Sequence, residues 1–300
     1  MNPVKPAREA MGLLRHTETR VEALERTVDR MRLAMGRVEA RQLRNCNSVR
    51  LRDHEFSAFS QYGDDGILQF LVRQIPGLKE SFIEFGVEDY SEANTRFLLE
   101  HDNWRGVIFD SDGRHIARIR RQPYCCRHSL SAVEALVTRE NVNDLFRSNG
   151  FEGEIGLLSV DVDGNDYWIW DAIDCVRSAL VVVEYNHRFG PERAVTIPYD
   201  PGFDRRKAHH SGIYYGASLG ALCRLGARKG YAFVGCNSAG NNAWFVERER
   251  KPDPLPELSP AEGDVAGKFR ESRDPEGNLT FPSPAEEQRI LTGLPTEEID

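Results

Sequence analysis

Two short runs, 157–160 (LLSV) and 180–183 (LVVV), are apolar but for Ser159 and stop abruptly at a carboxylate, Asp161 after the first and Glu184 after the second. A short, largely apolar run suits a strand buried on both faces, and two such strands with a helical stretch between them are neighbours in a mostly parallel sheet flanked by helices. Ligands in such sheets sit at the carboxyl ends of the strands. Asp161, Asp163, Asp166, Glu184 and Asn186 all fall there, so oxygen ligands and bases converge on one edge, the layout of a catalytic site.

The flanking sequence extends the alternation. Residues 66–75 have helical periodicity and end at Pro76-Gly77. A strand is expected at 82–85, then an acidic turn and a helix over 92–101. A strand at 107–109 ends at Asp110 and leads into a helix over 114–121. A third strand is expected at 124–126, with helices at 132–137 and 141–148 before the two apolar runs. After Asn186 comes a long connection, HRFGPERAVTIPYDPGFDRRKAHHSGIYY, whose three Tyr, two Phe and three His read as a substrate-covering loop. A helix at 219–229 and strands at 231–235 and 243–246, joined through CNSAGNN, predict an antiparallel hairpin. The whole is a doubly wound α/β pattern.

Three parts are expected: an N-terminal coiled-coil helix (1–45), the α/β domain (46–250) and a Pro-rich acidic tail (251–300) holding eight of the fifteen prolines, loop-like or partly disordered. Leu14, Val21, Val28 and Met35 form one heptad position and Thr17, Leu24, Met31 and Val38 the other. That spacing predicts a homo-oligomeric coiled coil, the β-branched Val21 and Val28 leaning toward a parallel dimer; the alternative is one amphipathic helix lying on its own domain. The net charge of -8 argues against a nucleic-acid partner. Arg114, Arg118, Arg120 and Arg121, at helical spacing, read as a solvated face. Six cysteines without zinc-ligand spacing are expected to be reduced. With neither a signal-peptide apolar stretch nor 18 consecutive apolar residues, the expectation is a soluble, cytoplasmic protein without a transmembrane segment.

SQYGDDGIL (60–68), FIEFGVEDYSEANTRFLLE (82–100), WRGVIFDSD (104–112), LLSVDVDGNDYWIW (157–170), VVVEYN (181–186) and GYAFVGCNSAGNNAWFV (230–246) occur in an order that resembles the FkbM-like branch of class I S-adenosylmethionine-dependent methyltransferases. The resemblance implies a Rossmann-like sheet closed by an antiparallel hairpin, S-adenosylmethionine as cofactor, and O-methylation of a sugar or other polyhydroxyl acceptor in glycan or secondary-metabolite biosynthesis. It assigns cofactor contacts to Gln61, Glu84, Gly86, Asp110 and Asp161, with Asp112 the rival of Asp110 for the ribose hydroxyls. One departure stands out: Tyr90 occupies the place of a second loop glycine.

The segment 161–166 (DVDGND) has two readings. Asp163, Glu184 and Asn186 can hold Mg²⁺, a hard cation that takes carboxylate and amide oxygens, and the cation would activate an acceptor hydroxyl. Alternatively, Asp163 or Asn165 simply caps the helix that follows. Asp163 is also placed toward the acceptor as a catalytic residue, and if a side chain takes the proton, His187 and His210 are the preferred bases. Two other functional classes stay open: a nucleotide-sugar glycosyltransferase using Asp161-x-Asp163 as its metal motif, and a non-catalytic coiled-coil scaffold with a degenerate cofactor domain.

Overall fold

The computed structural model describes residues 4–269 and 271–300. Seven strands form the central sheet: β1 (Ser81–Phe85), β2 (Arg105–Asp110), β3 (Leu130–Glu134), β4 (Gly153–Val160), β5 (Val176–Glu184), β6 (Tyr231–Cys236) and β7 (Asn242–Glu247). Their order is β3-β2-β1-β4-β5-β7-β6, with β7 antiparallel to both neighbours and every other pairing parallel. This is a doubly wound, Rossmann-like sheet closed by an antiparallel hairpin. Its order reverses between β1 and β4, which opens a crevice at their carboxyl ends.

Alternate residues of each central strand serve opposite cores. Ile83, Phe85, Leu158, Val160, Val181 and Val183 pack on one face, while Phe82, Leu157, Leu180, Val182 and Trp244 pack on the other. Burial on both faces is why the middles of these strands are largely apolar; each large side chain so buried contributes about 1.5–3 kcal/mol.

Two expectations fail at the sheet's first edge. Residues 124–126 lie in a short helix (Pro123–Arg127) with Pro at its first turn, where a missing N–H costs nothing. The third strand is instead Leu130–Glu134, which overlaps the helix expected at 132–137. As an edge strand it buries only Ala132 fully, so it lacks the apolar run of the central strands. The helix expected from residue 92 begins at Arg96, because the preceding residues form the loop after β1.

The N-terminal helix α1 (Val4–Gln42) presents two different faces. Leu14, Val21, Leu24, Val28, Met31, Met35 and Val38 are exposed. A separate face docks on the domain: Asp29 pairs with Arg96, Arg32 Nε donates to the Ala58 carbonyl (2.6 Å), and Gly36 and Ala40 meet the Phe56–Phe59–Phe97 cluster. A Cβ at Gly36 would lie 2.6 Å from the Phe97 ring, so glycine sets this close approach.

The Pro-rich tail returns to the domain. Ser259 and Ser283 each start a helix with a capping box, closed by Glu262 and Glu286. Glu287 forms a buried ion pair with Arg188 (2.9 Å), and Glu297–Glu298 pairs antiparallel with Val195–Thr196. No described helix is long and apolar enough to cross a membrane, and all six cysteines are free.

Candidate active site

Gly86 follows β1 with φ +65°, and a Cβ there would lie 1.8 Å from the Asp161 carbonyl oxygen. Only glycine lets this loop pass the end of β4. Tyr90 also adopts a left-handed backbone (φ +63°), so a tyrosine holds the conformation expected of the missing glycine. Its buried ring, its hydroxyl on Thr95 Oγ1 (2.8 Å) and its carbonyl, which accepts from Arg96, offset a strain of about 1–2 kcal/mol.

Glu84 is the tie beneath this loop. Its carboxylate accepts from the Asn94 and Thr95 backbone N–H groups, from Thr95 Oγ1 (2.6 Å) and from Ser159 Oγ. With both oxygens engaged, Glu84 positions the loop instead of facing the crevice. Gln61 is exposed in the bend before helix α2 (Asp64–Gln74), a bend held by Asp65 Oδ2, which accepts from the N–H groups of Ala58, Phe59 and Ser60.

Asp110 ends β2 and accepts one backbone N–H on each carboxylate oxygen, from Glu88 and Asp112 (both 2.8 Å). Oδ2 keeps a lone pair for a ligand hydroxyl, whereas Oδ1 also has His115 Nδ1 at 3.4 Å. Asp112 caps the helix Gly113–Arg120 through the Arg114 N–H and pairs with the Arg114 guanidinium, so the capping role falls to Asp112.

At the ends of β4 and β5, Asp161, Asp163 and Glu184 bring ligand oxygens within 4.8 Å of one another. The turn between them is folded by Asp166, whose buried carboxylate accepts from Val162 N–H (2.8 Å) and Gly164 N–H (3.0 Å). The capping reading is not what forms: the N-cap of the helix Asp166–Ala172 is Asn165 without a side-chain bond, and Asp163 does not cap it. Asp163 instead stands at φ +56°, a region that Asp and Asn tolerate better than most residues. Burial, followed by the neighbouring carboxylates, pushes Asp161 and Glu184 well above the ordinary carboxylate range. Glu184 Oε2 is buried without a hydrogen-bond partner. An orphaned oxygen in a three-carboxylate cluster is a site short of positive charge, and the donor set suits a hard divalent cation.

The cluster has one cation of its own. Arg205, in the covering segment, donates to Asp163 Oδ1 (2.6 Å) and lies over the Tyr215 ring (4.9 Å). Burial opposes its charge, but Asp163, Glu184 and Asp161 more than compensate. Sequence reasoning missed this residue; the only signal was a basic DRRK stretch within the loop expected to cover an acidic edge.

Other candidates lie apart. Asn186 is left out of the cluster: its amide donates to the Ile213 and Tyr215 carbonyls, and its oxygen accepts from Arg188 N–H, so it braces the covering segment. His210 is exposed against the His209 ring (4.1 Å) and makes no hydrogen bond to the acidic cluster. His187 follows Asn186, with its ring packed against Gly267 and edge-on to Phe269 (5.7 Å). Burial and then Arg188 lower its pKa to about 4, and its Nδ1 has no partner.

No family model and no curated sequence matches the chain. Among solved structures it is similar to the SAH-bound Podospora anserina methyltransferase PaMTH1 (TM-score 0.42, 15% identity, covering 77% of this chain and 95% of that one). It is also similar to the Bacillus cereus O-methyltransferase in complex with SAH (0.40, 17%, 72% and 90%). A third likeness is to the N-terminal domain of EvdMO1, crystallised with SAH and D-fucose (0.39, 10%, 61% and 80%).

Proposed function

We propose that this chain is an S-adenosylmethionine-dependent O-methyltransferase acting on a sugar or other small polyhydroxyl acceptor. The observation that carries the reading is the juxtaposition of two features on one sheet edge: the glycine-floored crevice at the β1/β4 switch point, and the Asp161–Asp163–Glu184 cluster with its unpartnered Glu184 oxygen.

In this reading Asp110 accepts the ribose hydroxyls, and Gly86 lets the loop backbone approach the cofactor. Asp161, between crevice and cluster, places negative charge near the sulfonium. Asp161, Asp163 and Glu184 would hold Mg²⁺; when bound, the cation lowers the pKa of an acceptor hydroxyl and orients it. The acceptor oxygen bonds to the methyl carbon as the carbon–sulfur bond breaks, its pair of electrons going to sulfur. The hydroxyl proton passes to the carboxylate of Asp163, the exposed member of the cluster. Arg205, held over the Tyr215 ring, offsets part of the cluster's negative charge from the covering segment. The exposed seam of α1 provides contact with a second copy.

Calorimetric titration with S-adenosylhomocysteine, with and without Mg²⁺, tests the reading. Micromolar binding, tightened by Mg²⁺ when acceptor is added, is expected. No binding under either condition, with saturable binding of a nucleotide-sugar, would replace it with the glycosyltransferase reading of Asp161-x-Asp163.

A further inference from the structure

We propose that the cavity of about 330 Å³ bounded by Tyr62, Ser238, Ala239, Lys268 and Phe269 is the acceptor subsite, and that it takes an acidic sugar whose carboxylate pairs with Lys268. The inference deepens the methyl-transfer reading, on which it rests for the reaction but not for the binding.

The position follows from the hairpin. Ser238 and Ala239 lie in the turn joining β6 to β7, and the register pairs Glu184 with Asn242, so this turn adjoins the end of β5 that carries the acidic cluster. Asn237 binds the buried Asp64 beside Tyr62, which fixes the turn to the loop before α2. The tail supplies the remaining wall. Lys268 N–H donates to the Ala239 carbonyl (3.2 Å), the Tyr185 hydroxyl donates to the Val265 carbonyl (3.0 Å), and Phe269 meets the His187 ring edge-on.

The chemistry of the lining has two poles. Tyr62 and Phe269 have nearly parallel rings, 7° apart with centroids at 5.8 Å, and give one aromatic wall suited to the C–H face of a pyranose. Lys268 projects its ammonium to Ser238 Oγ (3.3 Å) and forms no ion pair with the described residues. Ammonium and hydroxyl together suit a carboxylate. At the other pole Tyr62 lies within electrostatic reach of Glu92, Glu184 and Glu271, carboxyl groups that can bond hydroxyls but offer an anion no partner. A sugar acid is therefore oriented, with its carboxylate at Lys268 and its ring hydroxyls toward Glu184.

Calorimetry on the full chain, with methyl β-glucuronopyranoside against methyl β-glucopyranoside, decides the matter. The uronate is expected to bind about tenfold more tightly, a difference of about 1.4 kcal/mol. Lys268→Met should erase that preference while sparing the glucoside, and Phe269→Ala should weaken both ligands. Lys268 lies at the surface, so an unchanged melting temperature certifies the fold of its variant. Equal binding of the two sugars, a preference that survives Lys268→Met, or stronger binding of glucose 6-phosphate would overturn the proposal. Neither sugar binding while S-adenosylhomocysteine still binds removes the subsite and leaves the methyltransferase reading intact. Uronate binding that persists without any cofactor binding supports the subsite and removes that reading instead.

Discussion

Asp163 carries the sharpest residue-level test, because it belongs at once to the carboxylate cluster, to a left-handed turn and to the ion pair with Arg205. Asn accepts the same backbone conformation, so Asp163→Asn removes charge without refolding the turn. We expect Mg²⁺ affinity and turnover to fall at least about tenfold, the scale of one lost charge-assisted contact. S-adenosylhomocysteine affinity should stay within about twofold; an unaltered rate would remove Asp163 from the mechanism. Arg205→Ala should act oppositely on the cation, since Asp163 then loses a competing partner: titration should show Mg²⁺ binding tightened by about three- to tenfold, whereas unchanged affinity would mean that the two cations do not compete. The carboxylates themselves were legible, because a strand-ending acid in an α/β sequence has a fixed destination. Asn186 was not, since a side chain two residues past a strand end can turn toward metal or backbone, and here backbone carbonyls 27 and 29 residues away claim it.

At the scale of elements, α1 reconciles two sequence readings that were posed as alternatives. Its heptad positions face away from the domain, while Asp29, Arg32, Gly36 and Ala40 dock upon it, so one helix can serve both a partner and its own core. Cutting at residue 45 would therefore uncover the cluster around Phe56 and Phe97 and confuse folding with assembly. Val21→Glu with Val28→Glu is cleaner: sedimentation should report a smaller assembly with an unchanged melting temperature, and an unchanged sedimentation coefficient would leave the seam without a partner. The tail teaches the converse lesson. Its proline content reads as loop, yet Ser-Pro-Ala-Glu occurs twice, at 259–262 and 283–286, and each copy is a helix start with its capping box written out. The second copy delivers Glu287 to Arg188, where both side chains are buried. Glu287→Ala leaves that guanidinium uncompensated and should cost about 3–5 kcal/mol in denaturant unfolding; a loss below about 1 kcal/mol would mean that water reaches Arg188 in the variant.

For the whole molecule, the placement of acids makes stability depend on pH in the direction opposite to that of a protein held by salt-bridged carboxylates. Burial raises Asp64 and Asp166 to about 7 and Asp65 to about 6, and it raises Asp161, Glu184 and Glu84 as well. Between the ordinary carboxylate range and these values the folded chain holds more protons than the unfolded one, so stability falls as pH rises through the window. His187, lowered to about 4, works against this, because it is neutral when folded and takes up a proton when unfolded below about 6.5. Burial lowers His101 and His209 in the same sense, but these three groups are outnumbered by the raised carboxylates, so the carboxylates prevail. Doubly wound order and strand ends could be read from apolar runs in the sequence, but this balance could not, because it depends on which acids the covering segment and hairpin seal from water. The melting temperature should therefore be higher at pH 6 than at pH 8 in the presence of a chelator, by about 2–4 °C for each kcal/mol involved. Mg²⁺ should recover more stability at pH 8 than at pH 6, because its carboxylate ligands must shed protons to bind it. Thermal unfolding at both pH values, with chelator and with Mg²⁺, checks the two statements separately: a melting temperature that rises with pH contradicts the burial argument, whereas a cation effect equal at both pH values removes Asp161 and Glu184 from the cation's ligands and leaves that argument standing.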